Sequence, residues 1–240
     1  MITVYTFGAN FGLPDPSTFV TKTLVHFKMS GLPFQVDTEG FSKAPKGKLP
    51  YINDAGTIIC DSTFIQIHLK EKYGIDLDKG LSPAERATGW ALEKMCEDHL
   101  YWAIIDARWM VDVNFNKGPR QFFGSAPAPI RPLIIRKVRH DIKRTLYGHG
   151  LGRHTRAEVE TLAARDLDAI AGYLGEKPFL FGNEPHAADA SVYASVAGAL
   201  CPLFETGLRD HALKHLNLSA YAARCTQRWF PDLGVPEPVS

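Results

Sequence analysis

The sequence predicts two units of different construction: an α/β unit over residues 1–75 and an all-α unit over residues 82–240. Three observations predict this division. Short β-rich runs interleave with helical patterns as far as Gly74. Two helix-start signatures, Ser82-Pro83-Ala84-Glu85 and Thr155-Arg156-Ala157-Glu158, lie beyond it. After Gly74 no strand pattern of any strength recurs, the brief run "PFLFG" apart.

The elements follow in order. Ile2 to Thr6, "ITVYT", is β-rich and stops at Phe7-Gly8. "GANFGLPDP" is a loop of turn residues. Asp15 reads as the cap of the next helix, Pro16 as its first residue and Ser17 as part of its first turn. Val20, Leu24 and Phe27 then recur at helical spacing until Gly31. "PFQVD" is a second strand, and "YIND" and "TIIC" flank Ala55-Gly56 as a hairpin. Asp61-Ser62-Thr63 opens a helix that Gly74 closes. A polar connector leads to Ser82 and a long helix running towards Asn114. A proline-broken crossing, Pro119 to Pro132, separates it from a helix with Ile134, Ile135, Val138, Ile142 and Leu146 on one face. Three more helices are expected: from Thr155 to Gly175, Ala188 to Leu200, and Ser219 to Trp229.

The 240 residues carry a net charge of +1 and are 45% hydrophobic, enough for a substantial core and without a global call for nucleic acid. Cys60, Cys96, Cys201 and Cys225 lie far apart with no C-x-x-C pair, as reduced thiols of a cytoplasmic protein do. The start has no secretory pattern, and Asp189 with nearby glycines and prolines interrupts the most apolar stretch. Membrane association is not expected. Arg131, Arg136, Lys137, Arg139, Lys143 and Arg144 form a basic helix face, read as solvated rather than lipid-binding. His211 and His215 lie one helical turn apart, but no third metal ligand is apparent from spacing. Gly148 to Gly152 follows no strand and reads as a turn, not a phosphate loop.

"PKGKLPYINDAGTIICDST" and "PHAADASVYA" resemble motifs of the glutathione transferase superfamily. "GLPDPSTF", "EDHLYWAIIDARW", "TLYGHGLGRHTRAE", "KPFLFGNEP" and "YAARCTQRWFP" resemble its failed axon connections branch, which lies near the metaxins. The resemblance covers nearly the whole chain. It implies a thioredoxin-like N-terminal domain, glutathione as co-substrate, a hydrophobic electrophile as acceptor and a homodimer. It also implies a cis bond between Leu49 and Pro50, which leaves the backbone of Leu49 facing a peptide ligand. The residues alone allow an ordinary trans proline. Asp61 and Ser62 then stand at a helix start, where free N–H groups favour an anion. The implied partners are the γ-glutamyl carboxylate for Ser62 and the ammonium for Asp61. Lys48 is the implied partner of the glycine carboxylate, or a solvated lysine.

Ser17 occupies the place of the family's helix-start Cys or Ser. A free thiol has a pKa of ~8.5, and lowering it by two units takes ~2.7 kcal/mol. A helix terminus supplies ~0.3–1 kcal/mol; a hydroxyl donating to the anion adds ~1.5–3 kcal/mol. Ser17 is therefore expected to donate to the thiolate rather than to act as a nucleophile. Tyr5 and Thr18 are competing hydroxyls, Tyr5 more simply read as core. Where many branch members carry a further Cys this chain has Val20, which removes glutathionyl exchange on that residue. On the long helix Asp98, Tyr101, Ile105 and Arg108 fall on one stripe at regular spacing, with Trp102 and Trp109 beside it. Tyr101 and Arg108 are the candidate acceptor-site residues. His186 replaces the usual hydroxyl of a helix-start motif completed by Asp189, read as folding machinery. No metal is expected.

Overall fold

A computed structural model of the chain describes residues 1–233. The last seven positions assigned to the helical unit, 234–240, lie outside the described residues. Four short strands, β1 (Ile2–Tyr5), β2 (Phe34–Asp37), β3 (Tyr51–Asp54) and β4 (Thr57–Cys60), form one sheet in the order β2-β1-β3-β4. β1 and β2 are parallel, joined through helix α1 (Thr18–Ser30); the other pairs are antiparallel. Val4, Ile52, Val20, Phe27, Ile65 and Leu69 pack the sheet against α1 and α2 (Ser62–Tyr73). Asp54 fastens the hairpin to the end of α2. Burial works against its charge, but hydrogen bonds from Lys72, His68 and Tyr73 hold its carboxyl at about 2.

The rest is helical. α3 (Pro83–Met95) begins on the Ser82 capping box, as the sequence predicts. The expected long helix is not continuous. A π-helical turn, Cys96–Leu100, separates α3 from α4 (Tyr101–Trp109), and α5 (Asp112–Lys117) is a separate short helix. α6 (Arg131–His149) lies on the flank and buries Leu146 alone of its side chains. α7 (Arg156–Leu174) starts on the Thr155 capping box. α8 (Ala187–Leu200) runs through the middle of the core. α9 (Gly207–Ala212), absent from the sequence reading, precedes α10 (Leu216–Trp229). "PFLFG" contributes only an isolated bridge between Phe179 and Gly182. Among the described residues no helix is long and apolar enough to cross a membrane.

Asp189 accepts from the His186 N–H at 2.8 Å and from the Leu180 N–H at 3.0 Å. The His186 ring makes no return bond among the described residues, so half of that helix start works without a hydroxyl.

Candidate active site at the helix starts

The register of the sheet assembles the site. Tyr5, Tyr51 and Cys60 are direct neighbours across β1, β3 and β4. The loop leading to Ser17 leaves this line after Tyr5. Leu49-Pro50 enters it before Tyr51, and Asp61-Ser62 leaves it after Cys60. Three segments distant in sequence therefore meet at one end of the sheet because strand pairing fixes their neighbours.

The Leu49–Pro50 peptide bond is cis. Pro50 C=O accepts from the Asp61 N–H at 3.2 Å, so the proline is bonded directly to the cap of α2. Leu49 is buried, yet among the described residues neither its N–H nor its C=O has a hydrogen-bonding partner. Lys48, next to it, is exposed. Asp61 is the N-cap of α2: its carboxylate accepts from the Thr63 N–H at 2.9 Å. Its φ of 82° lies in the left-handed region that a non-glycine residue seldom adopts. Backbone held this way is common where a ligand is gripped. Ser62 is 1% exposed, and its Oγ is a buried hydroxyl without a partner among the described residues. Thr6 Oγ1, just past the end of β1, is another. Buried hydroxyls are normally paired, so these orphans mark where a polar ligand group fits. Ser62 Oγ has no accessible surface as it stands. Contact with a ligand there runs through the helix-start N–H or requires a rotamer change.

Ser17 is placed differently from expectation. It is the N-cap of α1, not a first-turn residue, with extended backbone and Oγ accepting from the Val20 N–H at 3.4 Å. That bond is long, and among the described residues the hydroxyl proton has no acceptor. Asp15 is not the cap. It is 1% exposed and clamps the preceding loop, accepting from the N–H groups of Phe7 (2.8 Å), Gly8 (3.0 Å) and Ser17 (2.8 Å). Burial pushes its carboxyl up to about 7, against the pull of those three donors. Thr18 is nearly buried. Tyr5 stacks on Tyr51 with ring centroids 4.0 Å apart, and a Cβ on Gly40 would meet the Tyr5 ring at 2.1 Å. Tyr5 is thus pinned as packing.

Arg108 needs a correction. It does not present its guanidinium to an open acceptor cavity. It is 4% exposed, donates to Pro16 C=O at 3.0 Å and Gly198 C=O at 2.9 Å, and packs against Phe204. Its role is a strut that fixes the residue before Ser17 to α8. The π turn takes only Asp98 off the regular stripe; Tyr101, Ile105 and Arg108 keep their spacing within α4, and Arg108 is turned inward because the carbonyls of Pro16 and Gly198 take its guanidinium. Tyr101 is half-buried and meets Phe19, two residues after Ser17, edge-on at 4.9 Å. Burial raises its hydroxyl pKa.

An apolar wall does exist, from residues the sequence reading did not name. Phe7, Phe41 and Phe122 are each at least 41% exposed. Phe7 lies 5.3 Å from Phe41 and 6.4 Å from Phe122 by ring centroids, and Phe122 lies 5.6 Å from Phe11. They come from three separate segments: Phe7 from a loop, Phe41 and Phe122 from short 3-10 turns. The available signal was their position: aromatics in turn-rich segments have no helical period to explain them.

Behind α1 lies a buried ionic seam. Lys22 Nζ is 2.9 Å from Glu93 and 2.6 Å from Glu97, and reaches Thr63 at the start of α2. Lys94 and Ser191 also bind Glu97. His26, fully buried, bonds to Ala187 C=O; burial, with Lys22 nearby, lowers its pKa to about 3. The four cysteines are free thiols. Only Cys60 is not buried, and burial pushes Cys96 up to about 12.

Comparisons with known proteins agree with this architecture. The family model described as Glutathione S-transferase N-terminal domain matches residues 18–114, and that described as Glutathione S-transferase, C-terminal domain matches residues 163–225. The chain is 36% identical to an isoprene-epoxide–glutathione S-transferase of Rhodococcus sp. (strain AD45), over 82% of this chain and 85% of that protein. It is 30% identical to Failed axon connections of Drosophila melanogaster, over 97% of this chain but 59% of that longer protein. Metaxin-1 of Mus musculus is 26% identical over 98% of this chain and 77% of its own length. Among solved structures, the β-etherase LigF from Sphingobium sp. strain SYK-6 superposes with a TM-score of 0.62 at 19% identity, covering 97% of this chain and 98% of that one. A glutathione S-transferase from Methylobacterium radiotolerans, in complex with glutathione sulfonate, also gives 0.62, at 18% identity, covering 100% of this chain and 96% of that one. The chain belongs to the glutathione S-transferase family.

Proposed function

We propose that this protein binds glutathione at the end of the sheet, stabilises its thiolate and conjugates it to a hydrophobic electrophile. The observation that carries the reading is the Ser17 hydroxyl. It is a half-exposed helix cap whose proton has no acceptor among the described residues, beside a free stretch of Leu49 backbone. Leu49 supplies main-chain hydrogen bonds to the peptide. Ser62 and the start of α2 hold its carboxylate, Asp61 its ammonium and Lys48 its far carboxylate. Ser17 donates to sulfur. Asp15 and Arg108 position Ser17 through its N–H and through Pro16.

The acceptor stands against Phe7, Phe41 and Phe122, with Tyr101 on the α4 side. The name of the Rhodococcus relative favours a small epoxide. In that reaction a C–S bond forms as a ring C–O bond breaks, and the alkoxide takes a proton from solvent. We place the enzyme in the cytoplasm as a homodimer. A non-catalytic adaptor is the second reading. The likeness to Failed axon connections and the metaxins favours it, as does α6, whose Leu133 is 66% exposed. A glutathione-dependent isomerase or dehalogenase would use the same thiolate.

The test is conjugation of small epoxides and an aryl halide by wild type and Ser17→Ala, alongside retention on immobilised glutathione. Loss of a ~1.5–3 kcal/mol hydrogen bond lowers kcat/KM by about ten- to a hundred-fold. Equal rates remove Ser17 from the mechanism. Retention on glutathione with no turnover of any acceptor supports the adaptor.

A further inference from the structure

Spacing alone gives His211 and His215 no third ligand; the fold supplies Asp168. We propose that Asp168, His211 and His215 bind one divalent transition-metal ion, with Zn²⁺ the best match. The site lies between α7 and the corner joining α9 to α10.

Asp168 projects from the middle of α7. His211 is in the last turn of α9, and His215 is the cap residue of α10. The corner between them is tight: the N–H groups of Lys214 and His215 bond back to His211 C=O and Ala212 C=O, each at 3.1 Å. This corner aims both rings at one point. Nε2 of His211 lies 2.6 Å and Nε2 of His215 2.7 Å from the same oxygen, Oδ1 of Asp168. All three ligand atoms lie within 4.8 Å of one another, and the ring centroids are 5.4 Å apart.

The arrangement as it stands is a carboxylate oxygen accepting two imidazole N–H bonds. Small side-chain rotations bring the same atoms to three corners of a tetrahedron. Zn–N and Zn–O distances of about 2.0–2.1 Å put tetrahedral ligand atoms about 3.3 Å apart. Each N···O contact must therefore open by roughly 0.6–0.7 Å. The side chains have room for that: Asp168 is 51% exposed and the two rings 26% and 28%. The same exposure leaves the fourth position to water. Two imidazoles and one carboxylate suit Zn²⁺, Ni²⁺ or Cu²⁺, whereas Ca²⁺ and Mg²⁺ prefer all-oxygen sets. The proton on each Nε2 gives way on binding, released to solvent from an imidazolium or replaced by one on Nδ1 in a neutral ring, so the imidazoles enter as neutral ligands.

The ion would join three helices. Leu208 and Ala212 of α9 and Leu218 of α10 are already in the core shared with α7, so the backbone is preset. The metal adds a clasp at the rim of that core. None of the three ligands touches Ser17, Leu49 or Ser62, so the site stands apart from the thiol chemistry.

The experiment uses the full chain without a histidine tag, stripped with EDTA and titrated with ZnCl₂ in thiol-free buffer by calorimetry. Cys60→Ser serves as the background, removing the one thiol that is not buried. We expect one ion per chain and a rise in Tm that EDTA reverses. Substituted Co²⁺ should give the intense visible bands of a four-coordinate site. His211→Gln and Asp168→Asn should each weaken uptake by at least about a hundred-fold, the upper loss seen for partners that merely orient a ligand. Matching circular dichroism and Tm in EDTA verifies that a variant folds; where His211→Gln fails that check, the isosteric Asp168→Asn decides. Sub-stoichiometric uptake by the wild type overturns the proposal. Unchanged affinity in Asp168→Asn, or in a double His211→Gln/His215→Gln variant, does so too.

Discussion

The end of the sheet and the seam behind α1 are both rich in polar groups, and both are largely hidden from water. In the seam every charge is answered: Lys22 meets Glu93 and Glu97, Lys94 adds to Glu97, and Ser191 donates to it. At the sheet end, Ser62 Oγ, Thr6 Oγ1 and the backbone of Leu49 have no partner among the described residues. A folded chain tolerates a buried ion cluster when its members pair, and unpaired groups when something else completes them. The contrast separates the part of α1 that holds its position from the part proposed to meet a ligand. Helix α1 belongs to both, its cap in the open edge and its second and third turns in the seam.

The seam is the more sensitive of the two. Lys22→Met leaves the buried carboxylates of Glu93 and Glu97 with Lys94 alone to offset them among the described residues, and should cost about 3–5 kcal/mol. Urea unfolding measures it, and a loss under ~1 kcal/mol would mean the seam is solvated. Acid attacks the same place through His26. Its pKa falls from 6.5 to about 3 on folding, so the unfolded chain binds the proton more readily between those values. Stability from this group is full above pH 6.5 and drains as pH falls towards 3. His26→Gln should flatten the acid limb of a Tm-against-pH curve; an unaltered slope argues that other groups drive it.

The edge responds less in stability and more in binding. Asp15→Asn offers one acceptor where three N–H groups now converge, and turns an NH₂ towards them. A cost of about 1–3 kcal/mol is expected, with looser glutathione binding, read by thermal unfolding and calorimetry. Ser62→Ala should be the mildest for the fold, within ~0.5 kcal/mol, because the hydroxyl has no protein partner to lose. Its effect should fall on glutathione affinity, about tenfold or more if the hydroxyl turns to the carboxylate. Equal affinity would leave the helix-start N–H as the whole of that contact.

Much of the fold was legible because its signals are local. The hairpin at Ala55-Gly56, the capping boxes at Ser82 and Thr155 and the stop at Gly31 each depend on a few adjacent residues. The candidate site was legible only where a motif carried it, at Leu49-Pro50, at Asp61-Ser62 and at Ser17, which is the cap of α1 rather than a first-turn residue. Arg108 was misread because its acceptors, Pro16 C=O and Gly198 C=O, lie 92 and 90 positions away in sequence. Lys22 looks like any surface lysine in a helix. Its burial depends on Glu93 and Glu97, one turn apart on another helix and about seventy positions away. The wall of Phe7, Phe41 and Phe122 is a meeting of a loop with two short 3-10 turns, which no periodicity announces. Asp168 and the two histidines are hidden for the same reason, their convergence being a product of tertiary packing.

The π turn at Cys96–Leu100 has one more consequence. Such a turn spends one residue more than α-helical winding needs. It therefore works as slack between α3 and α4. Deleting a single residue there would return the winding to regular α and leave α4 close to its present rotation, because the residue removed is the extra one. The same deletion within α3 would instead swing the following side chains by roughly 100° about the axis. Arg108 would then lose its grip on Pro16, and Tyr101 would turn away from Phe19.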